Sequence, residues 1–173
     1  MSKRFILILI FVCSLGFVQT KEVKVAQAIL KADNIEIDWD KNTLSAYPNP
    51  VLSLPDSQVQ AKRITLYLSQ KGTIEKIEAI DDVLFKIVQV LPENIKQEIE
   101  GQAKKAVLTG QNLLLLEGEA QAKVSRSDRE GTSLIKADKI TVDLEKKSLH
   151  AQGNVHLEFP LPRTPETATA EGK

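Results

Sequence analysis

The sequence predicts an all-β, antiparallel fold, and three observations carry that prediction. A phrase recurs along the chain. Ala32-Asp33-Asn34-Ile35-Glu36-Ile37-Asp38 is followed by Leu44-Ser45-Ala46-Tyr47-Pro48-Asn49-Pro50-Val51-Leu52, and Ala137-Asp138-Lys139-Ile140-Thr141-Val142-Asp143 is followed in the same step by Leu149-His150-Ala151-Gln152-Gly153-Asn154-Val155-His156-Leu157. Each copy alternates apolar and polar residues, the period of a half-buried strand. The runs are joined by Asp40-Lys41-Asn42, Gln70-Lys71-Gly72, Glu145-Lys146-Lys147 and Gly153-Asn154, the polar and Gly/Asn-containing residues that tight β connections require. A repeated unit sets the architecture when stacked on itself. Two strands and a turn per unit make this chain a pile of β-hairpins.

The segment preceding the first copy reads as an export signal. Lys3 and Arg4 supply a basic start, and Phe5 to Val18 is an uncharged apolar run of signal-core length. It is shorter than the roughly 20 residues a membrane span needs. Ser14-Leu15-Gly16 offers small residues for cleavage, with a looser site after Thr20. Residues 1–20 are therefore expected to be a signal peptide, with an uncleaved anchor as the alternative. A lipoprotein reading through Cys13 is disfavoured by Val12 before it.

In the first copy Ile35, Ile37 and Trp39 share one face and Glu36, Asp38 and Asp40 the other. A second, weaker copy runs from Ala61-Lys62-Arg63-Ile64-Thr65-Leu66 to Ile77-Glu78-Ala79-Ile80-Asp81-Asp82-Val83. Ile64, Leu66 and Leu68 face inward there, against Thr65, Tyr67 and Ser69. A third runs from Ala103-Lys104-Lys105-Ala106-Val107-Leu108 to Leu114-Leu115-Leu116-Glu117-Gly118-Glu119-Ala120. In the last, Ile140, Val142 and Leu144 oppose Thr141, Asp143 and Glu145. Alignment of the copies makes Leu44, Ile77, Leu114 and Leu149 equivalent, and likewise Leu52, Phe85, Ala122 and Leu157.

Leu91 to Ile99 resists this pattern. Pro92 suits a first helical position and Ile95/Ile99 are spaced i, i+4, so one or two helical turns compete with a polar connection; a loop is the expectation. Ser125 to Gly131 reads as a polar hairpin loop whose arginines are more simply solvated than bound to phosphate. Pro160 to Lys173, rich in proline, threonine and glutamate, reads as a disordered tail. Residues 21–159 are thus expected to form one β domain, long enough for its own core.

Composition narrows the function. Lys+Arg and Asp+Glu are both 23, and loss of Lys3 and Arg4 leaves a slight acidic excess. Such a balance gives no argument for nucleic acid. The single cysteine, Cys13, lies in the signal, so the remainder has no disulfide or thiolate site. Aromatic residues make up only 5%, so the inward face is aliphatic. No catalytic residue is assigned. Asp81-Asp82 sits at a turn position of its repeat, which explains it better than acid–base work. His150 and His156 face outward on either side of Gly153-Asn154; no carboxylate or thiol cluster joins them, and no metal or cofactor is expected. Neither a phosphate loop nor a dinucleotide fingerprint occurs.

The phrase Ala-Asp-x-Ile-x-Val, then a turn, then Leu-x-Ala-x-Gly-Asn-Val resembles the repeat of the LptA/OstA family of periplasmic lipopolysaccharide-transport proteins. The likeness is closest at Ile135 to Thr141 and at Gly153-Asn154-Val155. It extends to Glu100-Gly101-Gln102-Ala103 and to Val83-Leu84-Phe85, and covers about residues 28 to 159. Pro48-Asn49-Pro50 and Gly118-Glu119 depart from the Gly-Asn pattern; proline removes a donor and suits an edge or bulge.

The resemblance implies an antiparallel β-jelly roll forming an open-ended slot. It implies a periplasmic, non-enzymatic carrier that holds the acyl chains of lipopolysaccharide (its lipid A portion) in that slot. The implied partners are an inner-membrane anchored jelly roll, an outer-membrane lipopolysaccharide-assembly protein and further copies of the chain joined head to tail. On this reading Ile35, Ile37, Ile64, Leu66, Phe85, Leu108, Leu116, Ile140, Val142 and Leu157 line the slot. Val23 to Leu30 and Val155 to Phe159 are the candidate pairing edges. The rivals are a membrane-anchored member of the same pathway and a structural β-module with a filled interior.

Overall fold

A computed structural model describes residues 28–161 apart from Gln111. The expected signal peptide, Val23 to Gln27 of the first pairing edge, and residues 162–173 of the expected tail lie outside the described residues. Among the described residues twelve antiparallel strands form one continuous sheet. They are β1 (Ile29–Lys31), β2 (Asn34–Asp38), β3 (Thr43–Tyr47), β4 (Val51–Leu54), β5 (Ser57–Gln60), β6 (Arg63–Leu68), β7 (Ile74–Val90), β8 (Lys96–Thr109), β9 (Leu113–Arg126), β10 (Thr132–Asp143), β11 (Ser148–Gln152) and β12 (His156–Glu158).

The pairing register turns this inventory into an architecture. One layer runs β2-β3-β6-β7-β8-β9-β10-β11 and the other β1-β4-β5-β7-β8-β9-β10-β12. The long strands β7 to β10 belong to both, and each bends midway. The result is a meander folded along one line into two facing layers that share a single core. This is the antiparallel jelly roll that the repeat implies.

The repeat phrase marks the fold line. Ladder register breaks between Gln102 and Lys105 in β8 and between Ala137 and Lys139 in β10. The equivalent Ala32-Asp33 and Ala61-Lys62 lie in the gaps β1/β2 and β5/β6. An inserted residue bends a strand and shifts its alternation by one, so inward residues run Ile135, Ala137, then Ile140, Val142. The Gly-Asn positions are the other set of corners. Asp81 and Asp82, Gly118 and Glu119, and Gly153 and Asn154 all have positive φ, and Asn49 does so between β3 and β4. Gly153-Asn154 is therefore not a hairpin turn as the sequence suggests. β11 and β12 pair end to end with β10 rather than with each other. Asp81-Asp82 is likewise a corner inside β7. Two left-handed residues let the strand swing into the second layer without losing its alternation.

Residue size follows the wedge. Ala61, Ala103, Ala120 and Ala137 are buried beside the fold line, where covalently joined layers converge and only small side chains fit. Further out the rows carry bulk. One cross-strand row reads Ile37, Leu44, Leu66, Ile77, Leu108, Leu114, Val142, Leu149. In the other layer a row reads Leu30, Leu52, Val59, Phe85, Gly101, Ala122, Ile135, Leu157. Both sets of residues expected to be equivalent fall in single rows. Gly101 is required by packing: a Cβ there would meet the Phe85 ring at 2.7 Å and the Gln121 carbonyl.

The connection at 91–99 is shorter than a loop reading implies. A 3-10 turn at Pro92–Asn94 closes with the Leu91 N–H donating to the Ile95 carbonyl at 2.8 Å. Extended backbone resumes at Lys96, so Ile99 is a core strand residue and the i, i+4 spacing is incidental.

Candidate functional site

The interior between the layers is apolar. Among the described residues no polar or charged side chain is buried. Leu52, Ile64, Leu116 and Ile140 are fully enclosed, and the side chains around them fill the centre. Away from the centre the layers part. A cavity of about 300 Å³ opens between them where β11 and β12 form the last edge. One wall comes from Val142 and Leu149, and the other from Ile99, Val124, Ile135, Leu157 and Phe159. Gln89 bridges the layers here, its Nε2 donating to the Leu144 carbonyl at 3.3 Å. The mouth is rimmed by Gln97, Asp143, Lys147 and Ser148.

The ten expected slot residues separate into three groups. Ile64, Leu66, Phe85, Leu116, Ile140 and Val142 are buried in the shared core, and Leu108 is half-buried against it. Of these only Val142 also lines the cavity. Leu157 lines it too but is 54% exposed. Ile35 and Ile37 are 50% and 46% exposed, because β2 is the opposite edge strand and none of the described residues covers its inward face. Trp39, at the turn beyond it, is 79% exposed. The apolar rows thus run out into solvent at both ends of the sandwich.

Sequence reasoning missed Ile99, Val124, Ile135, Leu149 and Phe159 as lining residues. Continuing the alternation through the corners would have found Val124 and Ile135. The expected edges include β1 and β12, which are edges of one layer; β2 and β11, the edges of the other layer, were not singled out.

Charge sits on the outer faces. Glu78 accepts from the Tyr67 hydroxyl at 2.9 Å and pairs with Lys105 Nζ at 2.7 Å. The Lys105 bond, helped by Tyr67 and Lys76 against the opposing effect of burial, holds its carboxyl below the ordinary glutamate value. Lys86 bridges Glu98 and Glu100 at 2.7 and 2.9 Å. His150 and His156 are exposed on separate strands, and His156 Nε2 lies 2.9 Å from Glu158. Among the described residues no cluster of metal-ligating side chains forms. The β9–β10 loop is organised by Arg126, whose Nε and Nη2 donate to Asp128 at 3.0 and 2.8 Å. Burial pushes the Asp128 carboxyl up, but Arg126, a backbone hydrogen bond and Arg129 together outweigh it and the net shift is downward.

Residues 23–148 match the model of the LptA/(LptD N-terminal domain) LPS transport protein family. The chain belongs to this family. Membership places it among lipopolysaccharide-transport proteins. A comparison with curated protein sequences finds no match. Among solved structures the chain is similar to the crystal structure of LptH from Pseudomonas aeruginosa, described as the LptA homologous periplasmic component of the lipopolysaccharide transport device. The TM-score is 0.64 at 14% identity, over 78% of this chain and 96% of that one. At that identity the likeness is one of fold, and it agrees with the LptA-like folded meander described above.

Proposed function

We propose that the protein is a periplasmic carrier that holds lipopolysaccharide acyl chains between its layers and hands them along a bridge between the membranes. The observation that carries this reading is the cavity at the β11/β12 edge, walled by aliphatic residues from both layers. Each CH2 group moved from water into such a lining gains about 0.8 kcal/mol, so several methylenes bind without polar chemistry. Family membership supports lipopolysaccharide as the source of the chains.

The exposed inward residues Ile35 and Ile37 at one edge and Leu157 at the other support end-to-end stacking of copies. Free N–H and C=O groups on edge strands add pairing. An inner-membrane anchored jelly roll and an outer-membrane assembly protein would take the two ends. Residues 1–20 would deliver the chain across the inner membrane and be removed; retained, they would make it the anchored member of the pathway. Among the described residues no helix is long and apolar enough to cross a membrane. A scaffold without lipid is the competing reading, and the enclosed centre around Ile64 and Ile140 favours it over that part of the interior.

Displacement of a fluorescent lipopolysaccharide separates the two. The wild-type protein is expected to bind it and Leu157→Asp to bind at least tenfold more weakly, with unchanged unfolding. No binding by the folded wild-type protein would leave the scaffold.

A further inference from the structure

The apolar cavity borders a second space. Val124, Ser133 and Phe159 line both the cavity and a groove of about 750 Å³. That groove lies between the β9–β10 hairpin and the segment Phe159 to Leu161 that follows β12. Its remaining walls carry Arg126, Arg129, Glu130 and Pro160. An aliphatic chamber thus adjoins a chamber of mixed character through shared lining residues, the arrangement that an amphiphile with one tail and one polar head would fill.

The cations there are unusual for this molecule. Lysine supplies most of the basic charge on the described surface, yet two of its three arginines, Arg126 and Arg129, line this groove, the third being Arg63. A guanidinium offers planar, multiple donors that match phosphate oxygens. Arg126 commits two of its five donors to Asp128, which fixes the orientation of the fork. Arg129 is largely exposed, with only a 3.8 Å approach to Asp128. Lys147 stands on the facing lip of the cavity. Glu130 is the one carboxylate among the groove residues. It is exposed and on the hairpin loop.

We propose that this groove is a headgroup site: Arg126 and Arg129 hold the phosphate monoester of a lipid whose acyl chain occupies the adjoining cavity. The proposal rests on the carrier reading above and deepens it. It fixes the orientation of the cargo, with the head at the β9–β10 hairpin and the tail directed between the layers.

Calorimetric titration of the purified protein with three probes tests this: myristoyl lysophosphatidate, monomyristoylglycerol and inorganic phosphate. The lysophosphatidate is expected to bind about tenfold or more tightly than the glycerol ester, since hydrogen bonds to charged groups are worth that much. In the variant carrying both Arg126→Gln and Arg129→Gln that preference is expected to vanish while the glycerol ester binds as before. Arg129→Gln alone, at an exposed side chain, is expected to lose part of it and guards against misfolding of the double variant. Equal binding of the two lipids, or a preference that survives both substitutions, would overturn the headgroup site and leave the carrier reading intact. Failure of the folded protein to bind either lipid would overturn both. Inorganic phosphate bound as tightly as the lysophosphatidate would mark a free-anion site and overturn the assignment to a lipid.

Discussion

Asn154 donates from Nδ2 to Asp138 Oδ2 at 2.9 Å, and this bond ties together the Ala-Asp and Gly-Asn elements of the repeat at the fold line. The Asp138 N–H also donates to the Gly153 carbonyl at 2.9 Å. Other corners use the same geometry with different chemistry. Lys62 Nζ meets Asp82 at 2.9 Å and Lys104 Nζ meets Glu119 at 2.6 Å. The residue after Ala61, Ala103 and Ala137 thus meets the second left-handed residue of its neighbour. The repeated phrase is a corner specification rather than a hairpin specification.

Gly153→Ala should destabilise the protein more than Gly72→Ala. Both glycines have φ near +75°, so both substitutions carry the left-handed penalty of about 1 kcal/mol. Only at Gly153 would the new Cβ strike the Asp138 side chain; nothing lies within 4 Å at Gly72. Overpacking adds about 1–3 kcal/mol. Urea midpoints of the two variants, at unchanged m-value, measure the difference.

Gly101→Ala should cost about 1–3 kcal/mol by overpacking, because its Cβ enters the space of the Phe85 ring. Phe85→Leu should recover part of that cost in the double variant, giving a coupling energy of opposite sign to the single effects. Recovery stays partial, since the Gln121 carbonyl still crowds the site.

The Glu78 cluster predicts a pH-dependent increment of stability. The folded-state value of Glu78 lies below its ordinary 4.5. Its contribution is therefore fully present above the unfolded value and lost as pH falls through the folded value. Glu78→Gln should be less stable than wild type by about 1 kcal/mol at neutral pH, and the gap should close in titrations below about pH 4.5. A gap that persists at pH 2 would assign it to packing.

Ile140 and Leu157 should separate folding from binding. Ile140 is 0% exposed in the filled centre, so Ile140→Asp is expected to unfold the protein and Ile140→Ala to cost about 2–5 kcal/mol. Leu157→Asp, at an open edge, is expected to leave the unfolding free energy within about 1 kcal/mol of wild type and to weaken lipid binding alone.

Much of the layer structure was legible in the sequence because alternation exposes strand faces and the repeat aligns them into rows. Leu44, Ile77, Leu114 and Leu149 fall in one row for that reason. The corners were not legible as corners: a Gly-Asn pair carries the same backbone information in a tight turn and in a bent strand, and only the pairing of β11 and β12 with β10 decides between them. The site was half legible. Inwardness follows from alternation, so Ile64 and Ile140 read like Ile135 and Leu149. Which inward residues fill the core and which border open space depends on how far the layers have diverged from the fold line, and no local pattern records that distance.

The most direct measurement of the central claim is photo-crosslinking from Ile135 and Leu149, which face the cavity from opposite layers. Their outward neighbours Lys136 and His150 serve as controls. Each variant is irradiated with purified lipopolysaccharide. Adducts at Ile135 and Leu149 but not at Lys136 or His150 are the predicted result. Equal labelling at all four positions, or none in a folded protein, would contradict an acyl-chain slot between the layers.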